Sequence, residues 1–232
     1  MSQMPSQAQA ATLPGLVLLC KRPSLGHAKQ RLAASLGQQH ALILAHALLD
    51  CALEDLRDWR GPRFIAPDAA AHLQWAESLG TEAHCVAQVE GNLGQRLNAL
   101  DRRLREQGLR QLIFIGSDCP ALRPEDYRQV RMLLQEHDTV LLDARDGGVV
   151  LMASNLPWPN LMALPWSTGR LGEALAQRCR QAGQRVASAG RSFDIDHASD
   201  LPLLQQALQD DPRPARHQLL AILNRPEIQV DA

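Results

Sequence analysis

The chain has 232 residues, with 24 basic and 25 acidic side chains and a formal net charge of −1; no overall field recruits nucleic acid or an anionic membrane. With one tyrosine, three phenylalanines and four tryptophans, it lacks the aromatic supply of a single-strand stacking platform. No apolar run reaches the length of a membrane span.

Residues 1–13 lack the basic region and apolar core of a signal peptide and are expected to form a disordered tail. Residues 14–210 have the length of one α/β domain with a substantial core, and 211–232 follow as a C-terminal extension. Five scattered cysteines, Cys20, Cys51, Cys85, Cys119 and Cys179, form no Cys-x-x-Cys pair. Reduced thiols and a cytoplasmic location are expected, and a structural zinc site is not.

The run Leu16-Val17-Leu18-Leu19-Cys20 reads as a first, buried parallel strand. A helical region is predicted from about residue 28 through 49, then a strand over 63–67 and a helix over 69–79 closed by Gly80. A strand over 83–89 and a helix over 93–107 closed by Gly108 come next. After a strand over 112–116, Pro124 opens a helix that reaches 136. Strands at 139–142 and 149–152 flank Asp146-Gly147-Gly148, followed by a helix over 171–182, a strand over 185–187 and a helix over 198–208. Beyond Pro212 and Pro214 lies one short amphipathic pattern, 218–223. Alternating strands and helices predict an α/β fold with a mostly parallel, doubly wound sheet.

In such a sheet ligands bind outside the carboxyl ends of the strands. Asp118 stands there, just past the run that ends at Gly116, and Pro120 stops the strand from continuing. A carboxylate in that place is a hard oxygen ligand for Mg²⁺, although a turn residue or helix cap would look the same. Cys119 beside it reads as a small buried side chain rather than a nucleophile. The first strand is followed by Lys21, Arg22, Gly26, Lys29 and Arg31, a glycine-bearing turn whose N–H groups and charges suit a polyphosphate. Helical spacing sets Lys29 and Arg31 on opposite sides. A second glycine loop, Gly91-Asn92-Leu93-Gly94-Gln95-Arg96, allows close backbone approach to a ligand, with Asn92 able to bond a base or ribose. It equally suits a helix cap. Asp146-Gly147-Gly148 reads as a hairpin turn. Asp194 and Asp196 alternate along one extended segment, so both face one side, and Ser199 or Asp200 could cap the next helix.

The series Lys21-x-Pro23-x-x-Gly26-x-x-Lys29-x-Arg31-Leu32, Gly91-Asn92-Leu93-Gly94-x-Arg96-Leu97, Gly116-Ser117-Asp118-Cys119-Pro120, Asp146-Gly147-Gly148, Pro165-Trp166-Ser167-Thr168 and Asp194-x-Asp196-x-x-x-Asp200-Leu201 resembles one family. It is similar to bacterial transferases of the glycosyltransferase-A fold related to phospholactate guanylyltransferase. Some members are labelled arsenosugar-biosynthesis glycosyltransferases for their association with radical-SAM enzymes. The resemblance spans about 16–208 and implies the nucleotide-diphospho-sugar transferase fold. It implies that Lys29 contacts donor phosphates, with Lys21, Arg22, Gly26, Arg31, Gly91, Asn92, Gly94 and Arg96 around the donor. Asp118 and Asp196, with Asp194, would hold Mg²⁺ or Mn²⁺. The acceptor side is Gly147, Gly148, Trp166 and Ser167, with Asp146 as candidate base. Gln30 and His197 stand where the family has threonine, and Val149 and Val150 where it has aromatic residues.

The function expected is Mg²⁺-dependent transfer from a nucleotide donor, foremost a glycosyl group from a nucleotide-diphospho-sugar to a small acceptor. Nucleotidyl transfer from a nucleoside triphosphate is the first alternative. A non-catalytic nucleotide- or sugar-binding module, suggested by the departures from the family pattern, is the second.

Overall fold

The computed structural model describes residues 13–27 and 29–228; the tail expected over 1–13 lies outside them apart from Leu13, as does the expected helix start at Ala28. Strand β1 (Gly15–Cys20) is buried along its length and flanked on both sides by parallel partners. Those partners are β2 (Arg63–Pro67) and β4 (Leu112–Gly116), and a short β3 (His84–Cys85) adds to β2 at the edge. On the other side, β6 (Val149–Ser154) runs antiparallel between β4 and β5 (Thr139–Ala144), and β7 (Val186–Ser192) closes the sheet parallel to β5. The order is β3-β2-β1-β4-β6-β5-β7. This is the mostly parallel, doubly wound α/β sheet read from the sequence, with one antiparallel strand supplied by the β5–β6 hairpin.

Strand alternation distributes the core between two faces. Leu16, Leu18, Ile113, Ile115 and Val140 point to one, against α2 (Gln38–Asp58) and α5 (Pro124–Leu133). Val17, Leu112, Phe114 and Leu141 point to the other, against α4 (Leu93–Glu106) and α6 (Leu171–Gln181). A third cluster lies to the side. There α1 (Gln30–Leu36), α7 (Leu201–Leu208) and α8 (Pro214–Leu223) gather around the first half of α2 through Leu32, Leu44, Leu48, Ile195, Leu204, Leu219 and Leu223. The 211–232 segment thus contributes a helix packed on α2.

Several elements differ from the local reading; the helix expected over 198–208 opens as a 3₁₀ turn at Ala198–Asp200, the strand expected over 185–187 runs Val186–Ser192, and the helix expected to reach 136 ends at Leu133. The helix expected through residue 49 is two helices, because Gly37 takes φ 82° and ψ 160° between α1 and α2, and α2 continues to Asp58. The helix expected over 69–79 is a 3₁₀ turn at Ala70–His72 followed by α3 (Leu73–Glu77). The strand expected over 83–89 pairs as a strand only at His84–Cys85; beyond it Val86 and Gln88 still donate to Ile65 and Pro67 at 2.9 Å each.

The consequence for the site is directional. β1, β2, β4, β5 and β7 all run the same way, so their carboxyl ends, together with the β5–β6 turn, meet at one edge of the sheet. No helix among the described residues is long and apolar enough to cross a membrane.

Candidate active site

Asp118 follows β4 by two residues, and Gly116 explains its pose. A Cβ at position 116 would lie 2.5 Å from Asp118 Oδ1, so the missing side chain lets the carboxylate fold back over the strand end. The segment after β7 comes alongside: Ile195 N–H donates to the Asp118 carbonyl at 3.0 Å. Asp200 shapes that segment by accepting from the Asp196 and His197 N–H groups at 2.9 and 2.7 Å. Carboxylate oxygens of Asp118, Asp194 and Asp196 then lie within 4.8 Å of one another. Three hard, anionic oxygen donors at that spacing fit Mg²⁺ or Mn²⁺ better than softer metals.

Lys29 enters from the loop after β1. It caps α1 in the left-handed region (φ 42°, ψ 59°), a conformation that non-glycine residues adopt only under local strain. Its Nζ donates to the Ile195 carbonyl at 2.7 Å, to Asp118 Oδ2 at 3.1 Å and to Asp196 Oδ1 at 3.3 Å. Arg31 donates to Asp196 Oδ2 at 2.6 Å. Lys29 and Arg31 therefore converge on one carboxylate, where helical spacing placed them on opposite sides. The spacing argument fails because Lys29 precedes the helix and its backbone is not helical.

These charges are unequally balanced. Burial pulls the Lys29 pKa down, but Asp118 and Asp196 outweigh it and hold the ammonium above its ordinary value. Burial pushes Asp118 up, and the Lys29 charge and hydrogen bond outweigh that and lower it. Asp194 makes no ion pair among the described residues: burial first, then Asp118, Asp146 and Asp196, push its pKa from 3.8 to about 6. Asp194 is thus expected to titrate near 6 in the metal-free protein and closer to an ordinary aspartate in Asp118→Asn. Carboxyl-resolved NMR titration checks this; an unshifted Asp194 would contradict the crowding. Because the folded pKa exceeds the unfolded one, the Asp194 contribution to stability is present below 3.8 and lost as pH rises through about 6.

Of the other residues singled out in the sequence, Lys21 and Arg22 are exposed and make no ion pair among the described residues, while Gly26 turns the loop at φ +78°. The 91–96 loop is a helix cap. Asn92 Oδ1 accepts from Gln95 N–H at 3.0 Å, Asn92 Nδ2 donates to Met162 at 3.0 Å, and Arg96 Nε donates to Gly91 at 2.8 Å. Both polar atoms of the Asn92 side chain thus have protein partners. Gly94 is required by packing, since a Cβ there would stand 2.2 Å from the Leu161 carbonyl oxygen.

On the side expected to take the acceptor, Asp146 lies close enough to raise Asp194, and its Oδ1 accepts from Gly148 N–H at 2.8 Å. Trp166 is half-buried, with its indole N–H donated to Leu161 at 3.0 Å, and Ser167 takes φ 61°. Gly147, at φ +88°, would bring a Cβ to 1.9 Å from the Gly169 carbonyl oxygen. Gly147→Ala is expected to destabilise the protein by roughly 1–3 kcal/mol, measured as a lower urea midpoint at unchanged slope. A midpoint equal to wild type would show that the turn has room to adapt.

Sequence reading missed the Ile195 carbonyl as a Lys29 partner and left Asp200 as one of two caps. Backbone acceptors have no sequence signature, but an aspartate four residues after Asp196 was the available signal for the second.

No curated protein matches the chain in sequence. Among solved structures, a candidate nucleotide-diphospho-sugar transferase from Desulfovibrio desulfuricans G20 superposes with a TM-score of 0.82 at 22% identity, covering 94% of this chain and 97% of that one. A cytidylyltransferase from Leptospira borgpetersenii gives 0.54 at 11% identity over 95% and 98% of the two chains. A nucleotidyl transferase from Methanothermobacter gives 0.52 at 17% identity over 84% and 99%. At these identities the likeness establishes a shared fold. The family model described as "Uncharacterized protein conserved in bacteria (DUF2064)" matches residues 52–168, from α2 through Asp118 and Asp146 to the Trp166 loop, and the chain belongs to that family.

Proposed function

We propose that this protein is a divalent-cation-dependent transferase that uses a nucleotide-linked donor, foremost to move a glycosyl group onto a small acceptor. The observation that carries the proposal is the convergence of Asp118, Asp194 and Asp196 with Lys29 at the carboxyl edge of a doubly wound sheet. With Lys29 and Arg31 satisfying Asp118 and Asp196, Asp194 is left crowded by like charges, an arrangement that suits holding a cation against phosphate charge.

In this reading Asp118, Asp194 and Asp196 would hold the ion, which when bound neutralises charge on the donor's phosphates and leaving group. Lys29 supplies a positive charge held at the site to a donor phosphate, supported by Lys21 or Arg22 from the same loop. Gly26, Arg31, Gly91, Asn92, Gly94 and Arg96 frame the donor; the last four act mainly by shaping the loop. Asp146 is the candidate base, taking the proton of an acceptor hydroxyl, with Gly147, Gly148, Trp166 and Ser167 forming the wall beside it. The Desulfovibrio neighbour is a candidate sugar transferase, which supports glycosyl transfer. Nucleotidyl transfer is the second reading, supported by the cytidylyltransferase and nucleotidyl transferase of the same fold.

Products separate the two. Incubation with nucleotide sugars and nucleoside triphosphates, with Mg²⁺ or Mn²⁺ and a panel of small hydroxylated acceptors, should release nucleoside diphosphate for glycosyl transfer. Release of pyrophosphate would instead establish nucleotidyl transfer. Binding without turnover across both panels would leave the non-catalytic module. Where turnover is found, Asp146→Asn should lower it while donor affinity stays near wild type; equal turnover would remove Asp146 from the chemistry.

A further inference from the structure

The C-terminal helix carries a buried charge network that the proposed chemistry does not use. Arg216 on α8 is 0% exposed. It donates to Asp55 Oδ2 and Glu54 Oε2 at 2.8 Å each, to the Cys51 carbonyl at 2.5 Å and, through Nε, to the Pro120 carbonyl at 3.2 Å. Arg213, at the start of the same helix, donates to Asp55 Oδ1 at 2.8 Å and to the Leu122 carbonyl at 2.7 Å. Tyr127 completes the set by donating to Asp55 Oδ2 at 3.0 Å. Arginines buried against carboxylates gain little net stability over apolar packing, because desolvation offsets their attraction. Arg213 also donates to both Asp211 oxygens at 2.9 and 2.6 Å; what distinguishes the pair is that each also reaches a carbonyl, Pro120 or Leu122, of the loop after β4 that carries Asp118. The opposite end of that loop is held by Ile195 N–H on the Asp118 carbonyl.

We infer that Arg216 and Arg213 are positioning residues that latch the 118–122 loop to α2 and so fix where the Asp118 carboxylate stands. The inference rests on the reading of Asp118 as a metal ligand. Residues that orient a ligand typically change metal affinity by about 10–100-fold when lost. An ordinary core contact would change only the melting temperature. The two arginines share Asp55 but reach different loop carbonyls, Leu122 for Arg213 and Pro120 for Arg216, so each is varied in turn.

The test is Mn²⁺ binding by the full chain without nucleotide, followed by calorimetry and electron paramagnetic resonance, with thermal melting in parallel. Arg216→Lys keeps the charge against Asp55 but removes the fork that also reaches Pro120. Arg213→Lys does the same for Leu122, and Asp55→Asn with Arg216→Met removes the buried pair together. Mn²⁺ affinity should fall roughly tenfold or more in each folded variant. If Arg216→Lys does not fold, Arg213→Lys decides. Affinity within twofold of wild type in the folded variants, with only the melting temperature lowered, would overturn the latch. Asp118→Asn is the reference: if it also leaves Mn²⁺ binding intact, the metal reading falls and the latch with it. If it alone weakens binding, only the latch falls.

Discussion

Asp118→Asn should cut Mn²⁺ affinity and turnover by roughly 100-fold or more while the protein melts within a few degrees of wild type. Residues behind a metal ligand already change affinity by about 10–100-fold, so removing a ligand charge itself sets that as a lower bound. Stability moves little for two opposing reasons. Asparagine keeps an oxygen to accept the Lys29 hydrogen bond, now weakened by loss of the charge. It also removes the largest single charge that raises Asp194. Calorimetric titration with Mn²⁺ and a melting curve on the same sample check both halves. A variant that binds Mn²⁺ normally would show that the three carboxylates are held for structure, with Lys29 as their counter-charge. A large drop in melting temperature would also point to a structural role.

Lys29→Ala should move two affinities in opposite directions. Without the ammonium, Asp118 loses its paired positive charge and Asp196 keeps only Arg31, so Mn²⁺ alone should bind more tightly than to wild type. Nucleotide binding should weaken by about 10–100-fold, the value of a charge-assisted hydrogen bond of roughly 1.5–3 kcal/mol to a phosphate. The wild-type protein should also lose more nucleotide affinity between low and high salt than the variant does. Lys29→Arg is not expected to restore function, since a planar fork does not reproduce a compact ammonium bonded to the Ile195 carbonyl and two carboxylates. Weaker binding of Mn²⁺ and nucleotide together would make Lys29 a structural clamp for the site. Unchanged nucleotide affinity at every salt concentration would remove it from donor recognition.

The sheet was legible because its signals are local. The apolar runs at 16–20, 63–67, 112–116, 139–142 and 149–152 all became strands, since a strand buried on both faces reads as a continuous apolar run. Their alternation with helices is enough to imply a doubly wound sheet, and that in turn aims every parallel strand's carboxyl end at one edge. Asp118 could be placed on that edge from its strand end; Asp146, Asp194 and Asp196 joined it through the family resemblance. Edges and lengths were less legible. Gly37 breaks a helix that periodicity ran through, and β3 pairs over only two residues at the edge of the sheet.

By itself, then, the sequence determined the fold class and the strand end after which Asp118 stands, because each depends on neighbours within a few positions. Only the tertiary structure decided which groups touch. Lys29 meets Asp118 and Asp196 across 89 and 167 positions, and only because its left-handed backbone turns it away from the helical direction. Asn92 Nδ2, the Trp166 indole N–H and the missing side chain of Gly94 all meet the 161–162 backbone, a set of contacts no linear pattern shows. Arg216 lies just before the short 218–223 pattern and has no sequence signal of its own. It is buried against Asp55, 161 residues earlier. Charges in a chain carry no information about their partners until packing removes water from around them, and in this protein that packing also sets the position of Asp118.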